Sequence, residues 1–331
     1  MSVAAVDLMA VSPRLDAAVG ARMEQLERAL HAAVSTDEPV VSDAARHLLA
    51  AGGKRFRPLL TLVSAQLGNA DAPGVIPAAL VAELTHLATL YHDDVMDEAV
   101  LRRGAPAANR VWGNSVAILT GDFLFACASE LAADLGVDIV RIQARTFARL
   151  VRGQVRETVG PADGVDPLGH YLSVVADKTA SLVSTAARFG GMTAGVDAST
   201  VEILAEFGER IGIAFQLADD LLDVTSDSMR SGKLPGTDLR EGVRTLPVLL
   251  ALRSVDPADA RLCELVSHPL TDEAQVAQAL ALLRAHPAVD EAHRIVLDRA
   301  DRARETLRAL PAGPARDALD AVAVALAVRD R

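Results

Sequence analysis

Apolar residues recur at three- and four-residue steps through most of the chain, as in Leu59-Leu62-Val63-Leu67, Leu80-Leu84-Leu87 and Leu246-Leu249-Leu250. That period puts them on one face of a helix. Composition agrees. Only 3% of residues are aromatic, and Ala, Leu, Val, Glu and Arg dominate, which favours helices over a sandwich or barrel. Half of the 331 residues are apolar, enough for a substantial buried core. The expected fold is all-α, with helices following one another across short joints.

The joints fall at Gly52-Gly53, Asp71 to Gly74, Arg103 to Pro106, Gly160 to Gly169, Gly190-Gly191, Ser226 to Gly236 and His268-Pro269. None is long or polar enough to separate two cores, so residues 1–331 read as a single domain. The segments with assignable chemistry lie within 52–247, and the helices expected over 254–331 read as structural.

The formal net charge of −11 repels a phosphate backbone, so nucleic acid is not an expected partner. Cys127 and Cys263 have neither the number nor the spacing for a disulfide framework or a zinc site, and read as buried thiols in a reducing compartment. The N-terminus lacks a positive region before its apolar stretch and carries Asp7, Arg14 and Asp16, so it reads as neither signal peptide nor anchor. No transmembrane segment is expected and the cytoplasm is the expected location; peripheral contact with a bilayer stays open.

The chemistry starts at Tyr91-His92-Asp93-Asp94-Val95-Met96-Asp97. On a helix Asp93 and Asp97 share a face one turn apart, with Asp94 beside them, and like charges at that spacing repel. A hard divalent cation with oxygen ligands offsets that repulsion. One such motif also describes a solvated acidic face. The second copy, Asp219-Asp220-Leu221-Leu222-Asp223, weighs against that, because both copies have apolar neighbours that carboxylates avoid unless paired or metal-bound. Two acidic helices that share magnesium with a substrate diphosphate fit the pattern.

The basic counterpart is Gly52-Gly53-Lys54-Arg55-Phe56-Arg57-Pro58. Its glycines suit a left-handed helix end and Pro58 suits the first turn of the next helix, which places Lys54 and Arg57 at an anion-binding N-terminus. Arg102-Arg103-Gly104 follows the first motif closely, and if it is helical its side chains point about 100° apart, toward different phosphates. Lys178-Thr179 and Gly232-Lys233 add further cations. His86 lies two turns before Asp93 on the same face, a position that favours a ligand role over a core histidine.

Taken in order, GGKRFRP, LTHLATLYHDDVMDEAVLRRG, GNSVAILTGDFL, RGQ, DKTASL, FQLADDLLD and GTDLREGVRTLP resemble the trans-isoprenyl diphosphate synthase family, and specifically its bacterial long-chain branch. The resemblance implies one large helical bundle of the isoprenoid synthase type with a central active-site cavity. It implies that Asp93 and Asp97, supported by Asp94, bind magnesium together with Asp219, Asp220 and Asp223, with three ions per active site. Lys54, Arg57, His86 and Arg103 would hold isopentenyl diphosphate. Arg102, Lys178 and Lys233 would hold the allylic diphosphate, and Thr179 and Gln216 would lie along the developing cation. A homodimer is the usual assembly in that family.

The sequence departs from the family at Val243, where a Lys is frequent, with Arg244 next to it. Ala88 and Thr89, one turn before Asp93, are not aromatic, and the resemblance to long-chain enzymes points the same way, so the expected product is longer than farnesyl and well beyond geranylgeranyl, the side chain of a respiratory quinone for example. Phe123 and Phe125 either line the tunnel or pack. The alternatives are a geranylgeranyl diphosphate synthase, a non-catalytic partner subunit and a class I terpene cyclase. The second acidic motif, GGKRFRP and His86 argue against the cyclase.

Overall fold

The structure is a computed structural model of the 331-residue chain and describes residues 8–226 and 235–327. Helices follow in the order α1 (Leu8–Val11), α2 (Pro13–Ala33), α3 (Pro39–Ala50), α4 (Phe56–Ala65), α5 (Val75–Met96), α6 (Ala108–Trp112), α7 (Asn114–Leu135), α8 (Val137–Val159), α9 (Pro167–Val175), α10 (Ser181–Thr193) and α11 (Ala198–Thr225). They continue with α12 (Thr237–Glu241), α13 (Leu246–Ala251), α14 (Ala260–Leu265), α15 (Glu273–Ala285), α16 (Pro287–Thr306) and α17 (Pro314–Ala327). Strand is confined, among the described residues, to the pair β1 (Leu101–Arg102) and β2 (Ala105–Pro106). The all-α expectation holds.

Local chemistry accounts for many of the helix starts. Ser12 accepts from the Leu15 N–H ahead of Pro13, and Asp166 accepts from the Gly169 N–H ahead of Pro167. Asp272 does the same for α15 through the Ala274 N–H.

Contacts group the chain into two compact units. The first comprises Met1–Ala148, Leu182–Gly208 and Thr306–Val322. Here α5 is apolar almost all round and packs along α7 and α4, burying Leu84, Leu87, Ala88 and Tyr91 completely. Each buried leucine contributes about 1.5–3 kcal/mol. Tyr91 donates its hydroxyl hydrogen to the Ala44 carbonyl, so burying the phenol leaves no orphaned group.

Gly190-Gly191, expected as a joint, instead sits inside α10. A Cβ on Gly190 would lie 2.2 Å from the Thr61 carbonyl oxygen, so the glycine permits close helix approach and ends nothing. Thr61 Oγ1 donates to the Ala186 carbonyl at 2.9 Å across the same contact.

The second unit comprises Arg149–Ser181, Glu209–Glu305 and Ala323–Arg331. Its core gathers Leu217, Leu221, Val224, Leu246, Leu262 and Leu283, with Leu168, Tyr171 and Leu172 packed against it. Residues 254–327 are helical apart from short turns, as expected. Both cysteines are free and half-buried.

Candidate active site

The first acidic motif closes α5. Asp93 and Asp94 lie in its last turn and Asp97 is the C-cap, its N–H donating to the Asp93 carbonyl at 2.8 Å. Asp94 is fully buried, with Oδ1 2.6 Å from Arg102 Nε and Oδ2 lacking a hydrogen-bond partner. Burial pushes its carboxyl up, and Arg102 opposes that shift.

Arg102 and Arg103 are not on a helix. Leu101 pairs with Pro106 and Arg102 with Ala105, which leaves Arg103-Gly104 as a two-residue hairpin loop with φ of 54° and 78°. Positive φ at both positions is the turn that matches strand twist, and Gly104 suits it. The two arginines therefore diverge through strand and turn geometry. Arg102 reaches Asp94, whereas Arg103 Nη1 donates to the carbonyls of Leu48 and Gly52.

The basic segment behaves as its glycines require. Gly52 has φ of 84°, Arg55 caps α4 in the left-handed region and Pro58 falls in the first turn. Arg57 is buried, and its Nε has no hydrogen-bond partner. Desolvation pushes its pKa down to about 10, which leaves it cationic at neutral pH. Lys54 lies two residues before α4 and is half-buried. Arg55, which sequence reasoning passed over, is buried between Glu83, at 2.9 Å, and Glu27, at 2.7 Å.

Glu83 was also missed. It is 2% exposed on α5 and serves the cluster of Arg55, Arg57 and Arg103 as a counter-charge. The signal was available: Glu83 is the one formally charged residue between Val75 and His92. His86, one turn on, is half-buried, and burial plus Arg57, Arg103, Arg102 and Arg55 hold its pKa well below 6.5. The imidazole is neutral among four guanidiniums.

His92 packs over Gly121, where a Cβ would come within 2.3 Å of Nε2, and that nitrogen lies 3.0 Å from the Ile118 carbonyl. Phe125 packs between His92 and Phe147, with ring centroids 5.7 and 4.3 Å away. It belongs to an aromatic cluster.

The second motif lies near the end of α11, in the second unit. Asp220 is buried and its two oxygens accept from Gln216 Nε2, at 2.7 Å, and from the Tyr171 hydroxyl. Gln216 Oε1 accepts from Thr179 Oγ1 at 3.0 Å. Burial pushes the Asp220 carboxyl up, and the bonds from Tyr171 and Gln216 oppose that. Asp223 accepts from the Thr237 and Asp238 N–H groups at 3.2 and 3.1 Å, and so caps α12. Lys178 and Thr179 sit in a π-helical turn, Ala176–Ala180, a geometry that concentrates at functional sites. Gly153 makes room for it, since a Cβ there would lie 2.6 Å from the Lys178 nitrogen. Lys178 pairs with Glu157, and Arg149 ties Asp177 to Glu209.

Arg244 is exposed and donates to the Ser267 carbonyl at 2.8 Å. Lys233 lies outside the described residues. Among the described residues no three His, Cys, Asp or Glu side chains converge into a metal cage. With hard carboxylates and the unpartnered Asp94 Oδ2, the donors fit a cation that takes most of its ligands from water and phosphate.

The polyprenyl synthetase family matches residues 38–283. Nonaprenyl diphosphate synthase of Mycobacterium tuberculosis is 52% identical over 307 residues, covering 92% of each chain. The crystal structure of a polyprenyl synthase from Caulobacter crescentus, complexed with calcium and isoprenyl diphosphate, superposes with a TM-score of 0.89 at 36% identity, over 96% of this chain and 98% of that one. A geranylgeranyl pyrophosphate synthase from Corynebacterium glutamicum, also complexed with calcium and isoprenyl diphosphate, gives 0.85 at 43% identity, over 96% and 98%. The chain belongs to the polyprenyl synthetase family.

Proposed function

We propose that this chain is a long-chain trans-polyprenyl diphosphate synthase that condenses isopentenyl diphosphate head-to-tail onto an allylic diphosphate. The observation that carries the reading is the arginine cluster around His86. Arg57 is desolvated with an unpartnered Nε, beside Arg103, and such a guanidinium gains most from an anion with several acceptor oxygens. Lys54, Arg57, His86 and Arg103 seat isopentenyl diphosphate, with His86 as a neutral hydrogen-bonding group. Arg102 and Lys178 hold the allylic diphosphate.

Asp93, Asp97, Asp219 and Asp223 hold magnesium, three ions per site, which when bound draws charge onto the diphosphate leaving group. The protein supplies no nucleophile. Its residues position two anions, exclude water and present the oxygens of Thr179 and Gln216 to the developing allylic cation. The released diphosphate takes the proton.

The long-chain reading rests on the similarity to the nonaprenyl enzyme, which exceeds that to the geranylgeranyl enzyme. It rests also on Ala88 and Thr89, which put no bulky side chain one turn before Asp93. The family match spans segments of both compact units, which favours one synthase domain over two independent ones.

α7 is long and apolar enough to cross a membrane by composition, yet only 33% of that window is buried. Its exposed Ile118 and Leu119, and the stripe of Val140, Phe147, Val151 and Val155 along α8, fit pairing with a second copy as a homodimer. The free cysteines fit a cytoplasmic enzyme. Incubation of the purified chain with farnesyl diphosphate, labelled isopentenyl diphosphate and magnesium tests the function. A ladder of long prenyl products supports it, and no incorporation with any starter rejects it.

A further inference from the structure

We propose that Tyr171 is a positioning residue for prenyl transfer: through Asp220 it fixes the amide of Gln216 and, with it, the hydroxyl of Thr179. The inference rests on the prenyl-transfer reading above. It starts from a hydrogen-bond chain wholly within the second unit. The Tyr171 ring packs against the core of that unit, which anchors its hydroxyl on Asp220 Oδ2. Asp220 Oδ1 accepts from Gln216 Nε2 at 2.7 Å, and Gln216 Oε1 accepts from Thr179 Oγ1 at 3.0 Å.

The direction of this chain has a chemical consequence. Both Asp220 oxygens accept, so the NH2 end of Gln216 faces Asp220 and its carbonyl end faces Thr179. The Thr179 hydrogen is then committed to Gln216. The oxygens of both residues keep lone pairs for a ligand, and their partial negative charge suits a developing allylic cation. Tyr171 holds Asp220 in the rotamer that enforces this polarity. Without the phenol hydroxyl, Asp220 loses one of its two donors, and the Gln216 amide loses its fixed orientation.

Asp220 therefore does a different job from the aspartates on either side of it. Spacing alone groups it with them as a metal ligand, but Asp220 is buried where Asp219 and Asp223 are half-exposed, and both its oxygens accept from side chains of the same unit. Its part is to transmit the position of Tyr171 to Gln216.

The test uses the purified full chain with farnesyl diphosphate, labelled isopentenyl diphosphate and magnesium. Tyr171→Phe keeps the ring packing and is expected to lower kcat about tenfold, the worth of one hydrogen bond. KM for both diphosphates and the magnesium half-saturation point stay at wild-type values. In a Gln216→Leu background the same change is expected to cost nothing more. Asp220→Asn is expected to repeat the kcat loss at an unchanged magnesium requirement.

A second readout does not depend on turnover. The side-chain amide of Gln216, assigned by its loss in Gln216→Leu, exchanges slowly in the wild type and rapidly in Tyr171→Phe and Asp220→Asn. Wild-type kcat in Tyr171→Phe, additive losses in the double variant, a magnesium requirement raised by Asp220→Asn, or unchanged amide exchange would each overturn the proposal. If the wild type incorporates no isopentenyl diphosphate, the prenyl-transfer reading fails, and with it the positioning role; amide exchange then shows whether the chain itself exists. If Tyr171→Phe does not fold, Asp220→Asn carries both readouts.

Discussion

Arg102 Nε lies 2.6 Å from Oδ1 of Asp94, a fully buried carboxylate at the end of α5. The hairpin that carries Arg102 is thereby pinned to the first acidic motif. An arginine held in this way is aimed before any diphosphate arrives, and a substrate phosphate must share it with Asp94.

Substitutions at Asp94 separate aiming from charge. Asp94→Asn keeps an acceptor for Arg102 and is expected to leave KM for the allylic diphosphate within about threefold, whereas Asp94→Ala raises it about tenfold by loss of one charge-assisted bond. Steady-state kinetics with farnesyl diphosphate reads the difference, and equal KM values in the two variants would remove the aiming role.

Glu83 is the buried counter-ion of the arginine cluster. Glu83→Gln leaves Arg55 and Arg57 without their carboxylate partner inside the protein, a change expected to cost about 3–5 kcal/mol. Chemical denaturation reads this as a lower midpoint with an unchanged slope. A midpoint equal to that of the wild type would mean that Glu27 alone balances the cluster.

His86 sets a pH dependence whose sign follows from its surroundings. Burial and four guanidiniums hold its pKa well below 6.5, so below that pH the unfolded chain binds a proton that the folded protein refuses. The stabilising contribution is complete above pH 6.5 and falls as the pH drops through 6.5 towards the folded value. Thermal melts of wild type and His86→Gln between neutral and mildly acidic pH should show a shallower acid decline in the variant. Parallel curves would place the acid sensitivity elsewhere.

Gly190→Ala forces a methyl group against backbone. Its Cβ would sit 2.2 Å from the Thr61 oxygen, and a carbonyl has no rotamer to escape into. Overpacking of this kind costs about 1–3 kcal/mol. Calorimetry of the variant should show a lower Tm, and an unchanged Tm would mean that α4 and α10 are free to separate.

The helical class and most joints were legible because a three-to-four period and Gly/Pro punctuation are local signals. What escaped the sequence depends on tertiary partners. Gly190-Gly191 looks like a helix break, but two glycines also permit close helix contact, and only the position of Thr61 decides between these readings. Arg103 to Pro106 reads correctly as a joint, but that Arg102 pairs there with Ala105 in a hairpin, and is not helical, depends on tertiary placement. The acidic and basic candidate residues could be named because each repeats or clusters along the chain. Tyr171 could not be placed the same way, since its meaning lies in its partner Asp220; Glu83 stands out in the sequence as a lone charge on an apolar helix, but its partner Arg55 does not follow from that. The π-helical turn under Lys178 likewise has no local sequence signature.

The most direct measurement is the chain length of products made by the purified protein from labelled isopentenyl diphosphate, farnesyl diphosphate and magnesium, with Asp93→Ala alongside. A ladder well beyond geranylgeranyl, reduced at least about a hundredfold in Asp93→Ala, is the expected result for a long-chain synthase that depends on its first acidic motif. A product that stops at geranylgeranyl, or turnover that survives the loss of Asp93, would contradict it.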